Sequence, residues 1–223
     1  MKRLLPLALG SLITAFASTS AFAVPVSWTD WTSSTDSFSA SGSLSVGSES
    51  VSVGYSATGA HAFVTTGVGT NYWASGTPYT NGTVDNAPPA SDIIALSEGG
   101  IVTITFSQTV IDPYIALASW NGNTVDFGVP IEIDSFGPGY WGNGTPALNP
   151  GGTGFFGSGE VHGVIRLPGS FDSISFTHTS ENWHGFTVGV AGIAPVPEPE
   201  TYAMLLAGLG LLGFAARRRQ QAA

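Results

Sequence analysis

The sequence Asp92-Ile-Ile-Ala-Leu-Ser-Glu-Gly-Gly-Ile-Val-Thr-Ile-Thr-Phe106 sets two short aliphatic runs on either side of the Gly99-Gly100 pair. Short β-branched runs that end at glycine are typical of strands, because a buried helix would need roughly ten or more residues. A third run, Tyr114 to Ser119, follows Asp112-Pro113, a dipeptide that favours a turn. We therefore predict three strands, at 92–96, 101–106 and 114–119.

The same pattern of short runs continues on both sides of this stretch. Residues 38–46 and 51–55 alternate polar and apolar positions around Gly47-Ser48-Glu49, which predicts a hairpin with a three-residue connection. Further strands are predicted at 62–66, 124–127, 130–136, 160–167, 171–178 and 184–190. Roughly ten strands at spacings of about 8–12 residues are typical of a sandwich or barrel, so we predict an all-β domain.

Two long segments rich in glycine, proline and asparagine interrupt the strands, at 67–90 and 137–154. Segments of this length inside a compact domain are usually functional or disordered. The first carries Trp73 and the second carries Trp141. Because an indole ring in a loop can stack on the face of a sugar, we expect these two tryptophans to bind a ligand. Two other tryptophans adjoin predicted strands and are assigned to the core: Trp120 and Trp183.

The first 23 residues form a targeting segment rather than a part of the domain. Met1-Lys2-Arg3 is basic, residues 4–17 are apolar, and Ala21 and Ala23 occupy the −3 and −1 positions of a cleavage site. This arrangement is typical of a secretory signal peptide. We predict cleavage after Ala23, so that the domain spans residues 24–194.

The other end of the chain has three parts in a fixed order. Prolines 195, 197 and 199 exclude helix and inner strand, because each fixes φ and lacks a backbone N–H. Residues 202–216 are uncharged and would form a helix of about 22 Å, which is short for a bilayer core of about 30 Å. Arg217, Arg218 and Arg219 follow and would remain on the cytoplasmic side. We predict a short transmembrane helix at 202–216, with the domain outside the cytoplasm.

This tail closely resembles the PEP-CTERM sorting signal, on the strength of Pro197-Glu198-Pro199, the apolar helix and the arginine cluster. The resemblance covers residues 195–219. It implies recognition by an exosortase, a membrane-embedded enzyme of Gram-negative bacteria, and transient anchoring in the inner membrane. The protein would then act at the cell surface or outside the cell, in association with exopolysaccharide and biofilm.

Two stretches of the domain resemble other exported PEP-CTERM proteins, one starting at Thr103 and the other at Phe171. This resemblance implies a single jelly-roll-like β-sandwich. It transfers no catalytic residue.

The charge of the domain excludes one class of partner. The chain has a formal net charge of −9, yet five of its six basic residues lie in the two ends. Of the fifteen acidic residues only Glu198 and Glu200 lie in the tail, which leaves thirteen acidic residues against Arg166 in the domain. Nucleic acid is therefore excluded as a partner, because binding it requires a basic surface. No cysteine is present, so packing and sheet hydrogen bonds must provide the stability.

Three sets of polar residues could carry chemistry. Glycoside hydrolysis needs two carboxyl groups, and Glu132, Asp134 and Glu160 are the candidates, the first two sharing a strand face. His178, Glu181 and His184 could bind zinc, although their spacing matches no known motif, and we assign no metal site. Oxygen donors for a structural calcium ion are present, without a loop motif: Asn121, Asn123, Asp126, Glu132 and Asp134. The sequence contains no phosphate loop or dinucleotide fingerprint, and we predict no cofactor.

Three functions agree with these observations. We favour a non-enzymatic, exopolysaccharide-associated protein of the cell surface or extracellular matrix that binds carbohydrate through Trp73 and Trp141. The alternatives are a secreted glycan hydrolase and a purely structural matrix protein.

Overall fold

The computed structural model describes residues 25–74, 76–80 and 83–194, together with Ala23, Met204 and residues 207–209. Within these residues the chain forms sixteen strands and a 3-10 turn at Thr77–Tyr79. The strands are β1 Ser27–Trp28, β2 Asp30–Ser33, β3 Ser39–Val46, β4 Glu49–Ala57, β5 His61–Thr65, β6 Ile93–Leu96, β7 Gly100–Ile111, β8 Tyr114–Trp120, β9 Thr124–Asp126, β10 Glu132–Phe136, β11 Gly144–Leu148, β12 Gly154–Gly159, β13 Val161–Arg166, β14 Ser170–His178, β15 His184–Val190 and β16 Gly192–Ile193.

The strands form two antiparallel sheets. The seven-stranded sheet has the order β10-β13-β8-β15-β6-β5, with β1 also paired to β15. The nine-stranded sheet has the order β11-β12-β9-β14-β7-β4-β3-β2, with β16 also paired to β7. The chain changes sheet between β6 and β7 and again between β7 and β8, so the runs around Gly99-Gly100 lie in different sheets.

The main core lies between the two sheets. Tyr55 of β4 and Phe176 of β14 both contact Phe186 of β15, with ring centroids 6.1 and 5.5 Å apart. On β4, Val51, Val53 and Tyr55 are buried, whereas Ser50, Ser52 and Ser56 are exposed. Burying an aliphatic or aromatic side chain stabilises the fold by roughly 1.5–3 kcal/mol, so this alternation fixes which face of the sheet packs inward.

The seven-stranded sheet is buried on both faces. Every residue of β8 and of β15 is buried. The outer face is covered by the segment between β5 and β6, which we call the cover segment (residues 66–92). Within it Trp73 packs edge-on against Tyr79, with ring centroids 5.1 Å apart, and the Tyr79 hydroxyl donates to the carbonyl of Leu117, 3.0 Å away. The segment predicted as a long loop therefore forms a second core layer.

The all-β prediction is confirmed, but the strand count of roughly ten was wrong, since sixteen strands are described. Part of the difference lies in the predicted loop 137–154, which contains β11 paired with β12. The hairpin turn is also shorter than expected. Val46 pairs with Glu49, which leaves a two-residue turn that begins at Gly47 with φ of 62°. Glycine adopts this left-handed conformation without the steric penalty that other residues incur.

Most of both predicted targeting ends falls outside the described residues. This applies to the signal peptide with Ala21, to Pro197-Glu198-Pro199 and to Arg217, Arg218 and Arg219. Of the predicted transmembrane helix at 202–216, Met204 and residues 207–209 are described, and these are helical. Among the described residues no helix combines the length and apolarity that crossing a membrane requires.

Candidate functional site

A cleft of about 630 Å³ lies at one edge of the seven-stranded sheet. Trp120 at the end of β8 pairs with Val161 at the start of β13, and Ala118 pairs with Gly185 near the start of β15. Because neighbouring strands are antiparallel, the end of β8 meets the starts of β13 and β15 at this edge. The cleft, which we call the aromatic cleft, is lined by Phe63, Tyr72, Ser119, Asn121, Trp141, Glu160, Glu181, Asn182 and Trp183.

Aromatic rings form a continuous wall along this cleft. The ring of Trp183 lies 6.0 Å from that of Phe63 and 5.0 Å from that of Tyr72. Tyr72 meets Tyr140 edge-on at 5.2 Å, and Tyr140 meets Trp141 edge-on at 5.1 Å. Trp141 is 58% exposed and Tyr140 is 44% exposed, so the outer end of the wall presents ring surface to solvent.

A buried histidine supports the loop that presents Trp141. The backbone N–H of Trp141 donates to Nε2 of His162, which is fully buried. With Nε2 accepting, the neutral ring carries its proton on Nδ1 and donates to the Tyr79 hydroxyl 3.1 Å away. Gly139 lies against the same ring, where a Cβ would overlap it. His162 therefore links the β10–β11 loop to the cover segment. Burial lowers the pKa of His162 to about 4, which favours the neutral ring.

A β-bulge directs Ser119 into the cleft. Leu117 pairs with Gly163 and Trp120 pairs with Val161, so β8 contains one more residue than β13 in this interval. Ser119 has φ of 62°, which is unusual for a residue other than glycine. Its hydroxyl donates to Oε2 of Glu160. Bulges reorient side chains next to functional sites, and here the bulge supplies a donor to a cleft carboxylate.

Two carboxyl groups share the floor of the cleft and are both bonded to Asn121. The Asn121 side-chain amide donates to Oε1 of Glu160 at 2.9 Å, and its backbone N–H donates to Oε2 of Glu181 at 3.1 Å. Both oxygens of Glu160 thus accept a hydrogen bond, from Ser119 and Asn121. For Glu181, only Oε2 has a hydrogen-bond donor within the described residues.

The surroundings of Glu181 favour its protonated form. Burial, with a smaller contribution from the charge of Glu160, raises the pKa of Glu181 from 4.5 to about 7, although the hydrogen bond from the Asn121 N–H acts to lower it. Behind Glu181, Nδ1 of His184 lies 3.7 Å from Oε2. His184 is fully buried and bonds through Nε2 to Nδ1 of His178, 3.0 Å away. Burial lowers the pKa of His184 to about 3 and that of His178 to about 4, so this pair is neutral and does not compensate a negative Glu181.

The structure separates the acidic residues that were expected to act together. Glu132 and Asp134 both form ion pairs with Arg166, and Asp134 also accepts from Thr83 at 2.6 Å. Burial raises the pKa of Asp134, and the contacts with Thr83 and Arg166 oppose this shift. Of the three candidate carboxyl groups, Glu160 alone lines the aromatic cleft, beside Glu181.

The oxygen donors considered for calcium are likewise dispersed. Asn121 lies in the cleft, and Asn123 is buried and donates to the carbonyl of Thr179. Asp126 accepts from the N–H of Gly128 in a tight turn. No group of three or more histidine, aspartate or glutamate side chains suited to a metal ion occurs within the described ranges, and a calcium site is not proposed.

The tryptophans that are buried and those that line the cleft differ from the ones expected from the sequence. Trp73 is 2% exposed and lies in the core beneath the cover segment, so its ring offers no face to a ligand. Trp141 is exposed at the cleft, and Trp120 is buried as predicted. Trp183 was assigned to the core but is half-buried and lines the cleft instead. Tyr72 and Tyr140 complete the wall and were missed, although each directly precedes a tryptophan that was selected.

The comparison with known protein families gives one match. Residues 195–219 match the model of the PEP-CTERM protein-sorting motif. No curated protein and no solved structure matches the chain. The prediction of a PEP-CTERM tail is thereby confirmed, and the motif implies export, membrane anchoring before processing, and processing by an exosortase.

Proposed function

We propose that this exported protein, sorted through the PEP-CTERM motif at its C-terminal end, binds a neutral glycan in the aromatic cleft at the surface of a Gram-negative cell or in its matrix. The observation that carries this proposal is a series of five contacting aromatic rings, four of which line one cleft together with Glu160 and Glu181. Exopolysaccharide is the natural source of such a glycan for a protein delivered outside the cytoplasm.

The chemistry of the cleft supports a sugar as the ligand. The apolar faces of sugar rings pack on aromatic side chains, and their hydroxyl groups bond to carboxylate and amide groups. Trp141 supplies exposed ring surface to the cleft, with Tyr140 beside it, while Asn121, Glu160 and Glu181 supply polar groups. Sites for small molecules generally combine a mostly apolar lining with a few placed polar groups.

The charge of the cleft narrows the class of glycan. Glu160 and Glu181 line it, and no basic residue is among its described lining residues. An acidic polysaccharide would place its own carboxylates beside these two groups, and like charges at close range are unfavourable. We therefore propose neutral polysaccharides as ligands and expect uronic-acid polymers to bind at least about tenfold more weakly.

Replacing the exposed indole should remove a substantial part of the affinity. We expect Trp141→Ala to weaken binding of a neutral glycan by about tenfold or more, since loss of an aromatic platform costs roughly 1–3 kcal/mol in comparable stacking sites. The measurement is affinity electrophoresis or calorimetry of the purified full-length chain with mixed-linkage β-glucan, xylan, galactomannan and soluble starch.

Phe156→Ala provides the matched control. Phe156 is 47% exposed but lies on β12 in the nine-stranded sheet, away from the cleft lining. It should leave glycan affinity unchanged. If Trp141→Ala and the parent chain bind equally, or if no neutral glycan binds the parent chain, the cleft is not a glycan site and a structural matrix role is favoured.

A further inference from the structure

We propose that the aromatic cleft also hydrolyses the glycan that it binds, with Glu181 as the proton donor and Glu160 as the proton acceptor at one glycosidic bond. This proposal rests on the glycan-binding function proposed above. Hydrolysis of a glycoside uses two carboxyl groups in different protonation states on either side of the bond that breaks. The cleft is lined by two glutamates that share Asn121 as a hydrogen-bond donor and otherwise make different contacts.

Glu160 is held as an acceptor. Ser119 donates to its Oε2 and the Asn121 amide donates to its Oε1, so two donors fix the position of this side chain in the cleft. Each carboxylate oxygen keeps a further lone pair, which can accept a proton from a bound water. The bulge at Ser119 has no other partner for its hydroxyl among the described residues, so its left-handed conformation is explained by the support it gives to Glu160.

Glu181 is held as a donor. Glu181 lines the cleft, its Oε2 accepts the N–H of Asn121, and its Oε1 has no protein partner among the described residues. The charged or titratable groups that face it are Glu160 from the β12–β13 connection and His184 from β15, with His178 behind His184. Burial and the charge of Glu160 raise the pKa of Glu181 to about 7, so a large part of this group carries a proton at neutral pH.

The atoms of the reaction balance without a cofactor. The proton of Glu181 moves to the bridging oxygen as the bond between that oxygen and the anomeric carbon breaks. A water molecule forms the new bond to the anomeric carbon and gives one proton to Glu160. The products are two shorter glycans, one with a new reducing end. Transfer of a proton from Glu160 to Glu181 through solvent restores the starting state.

The test measures reducing ends released by the purified full-length chain from those neutral polysaccharides that it binds. We expect Glu181→Gln and Glu160→Gln each to lower the rate by about 100-fold or more, the usual contribution of general acid–base catalysis. The rates are compared at saturating glycan, with the affinity of each variant measured alongside, so that weaker binding does not account for the loss of rate. The parent rate should fall as pH rises above about 7, where Glu181 loses its proton.

Glu49→Gln is the matched control, since Glu49 is exposed in the β3–β4 hairpin and lies outside the cleft lining. It should retain the parent rate. Far-ultraviolet circular dichroism of all three variants establishes that they fold. A parent chain that binds glycan but releases no reducing ends overturns the hydrolysis and leaves the binding function standing. A Glu181→Gln variant that keeps the parent rate also overturns it, whereas absence of glycan binding overturns both proposals.

Discussion

Gly163→Ala is expected to lower the free energy of unfolding by about 3 kcal/mol, the upper range for overpacking a well-packed interior. Gly163 lies on β13, between β10 and β8 in the seven-stranded sheet. A Cβ at this position would overlap the carbonyl oxygen of Ser135 and lie 2.9 Å from Cα of Phe136. Both are backbone atoms of the neighbouring strand, so no side-chain rotation can relieve the overlap. The strands would have to separate and lose ladder hydrogen bonds.

Urea unfolding followed by tryptophan fluorescence measures this effect, with Gly192→Ala as the control. Gly192 lies on β16, and a Cβ built there meets no atom within 4 Å. Its substitution should change stability by less than about 0.5 kcal/mol. Equal unfolding midpoints for the two variants would show that β10 and β13 tolerate a wider spacing than the structure gives.

Acidification is expected to destabilise the fold by about 1.4 kcal/mol per pH unit near pH 5. Burial lowers the pKa values of His162, His178 and His184 from 6.5 to about 4, 4 and 3, so each takes up a proton on unfolding. Their contribution to stability is complete above pH 6.5 and is lost as pH falls towards 4. Glu181 and Asp92 act in the opposite sense, because burial raises their pKa values to about 7 and 6. Near pH 5 the three histidines gain almost three protons and the two carboxyl groups release almost two, which leaves a net uptake of about one proton.

Because the raised pKa of Glu181 partly offsets the proton uptake of the histidines on unfolding, we expect Glu181→Gln to make the free energy of unfolding depend more steeply on pH. Without Glu181 the net uptake rises to about two protons, which corresponds to about 2.5 kcal/mol per pH unit. The pKa of His61 is also lowered and that of Asp134 is also raised, and these two shifts change the number of protons taken up on unfolding in opposite directions. Urea unfolding at several values between pH 4.5 and 6 measures both slopes, and Glu49→Gln should keep the parent slope. A flat profile for the parent chain would mean that the buried histidines are solvated or charged in the folded state.

Much of the strand pattern could be predicted from local sequence, because alternation and glycine positions report directly on strands. β6, β8, β14 and β15 lie within a residue or two of their predicted positions. Sheet membership could not be predicted in the same way. The Gly99-Gly100 connection reads as a hairpin turn, yet β6 and β7 belong to different sheets, since strand pairing depends on contacts far apart in the chain. β11 was missed because Gly144-Thr-Pro-Ala-Leu148 has the composition of a loop.

The site was harder to predict than the strands for a related reason. Glu160 and Glu181 are 21 residues apart and meet only because β8 places Asn121 between the start of β13 and that of β15. The period-two pair Glu132 and Asp134 looked more suitable in the sequence. In the structure both of these carboxyl groups form ion pairs with Arg166, the single arginine or lysine of the domain. The burial of Trp73 could not be predicted from the composition of its segment. It follows from packing of the cover segment on the outer face of the seven-stranded sheet, and no sequence pattern indicated that this face is also buried.

The position of β16 has a consequence for how the tail is handled. β16 pairs with β7, and the N–H of Ala194 still donates to the carbonyl of Thr109, 2.9 Å away. Only two residues then lie between Ala194 and Pro197, and the three Cα-to-Cα steps span at most about 11 Å. A peptidase that cuts near Pro197 must therefore work within about a nanometre of the folded domain, or first peel β16 from its edge. The space beside β16, rather than the length of a linker, would determine whether the peptidase can reach the peptide bond that it cleaves.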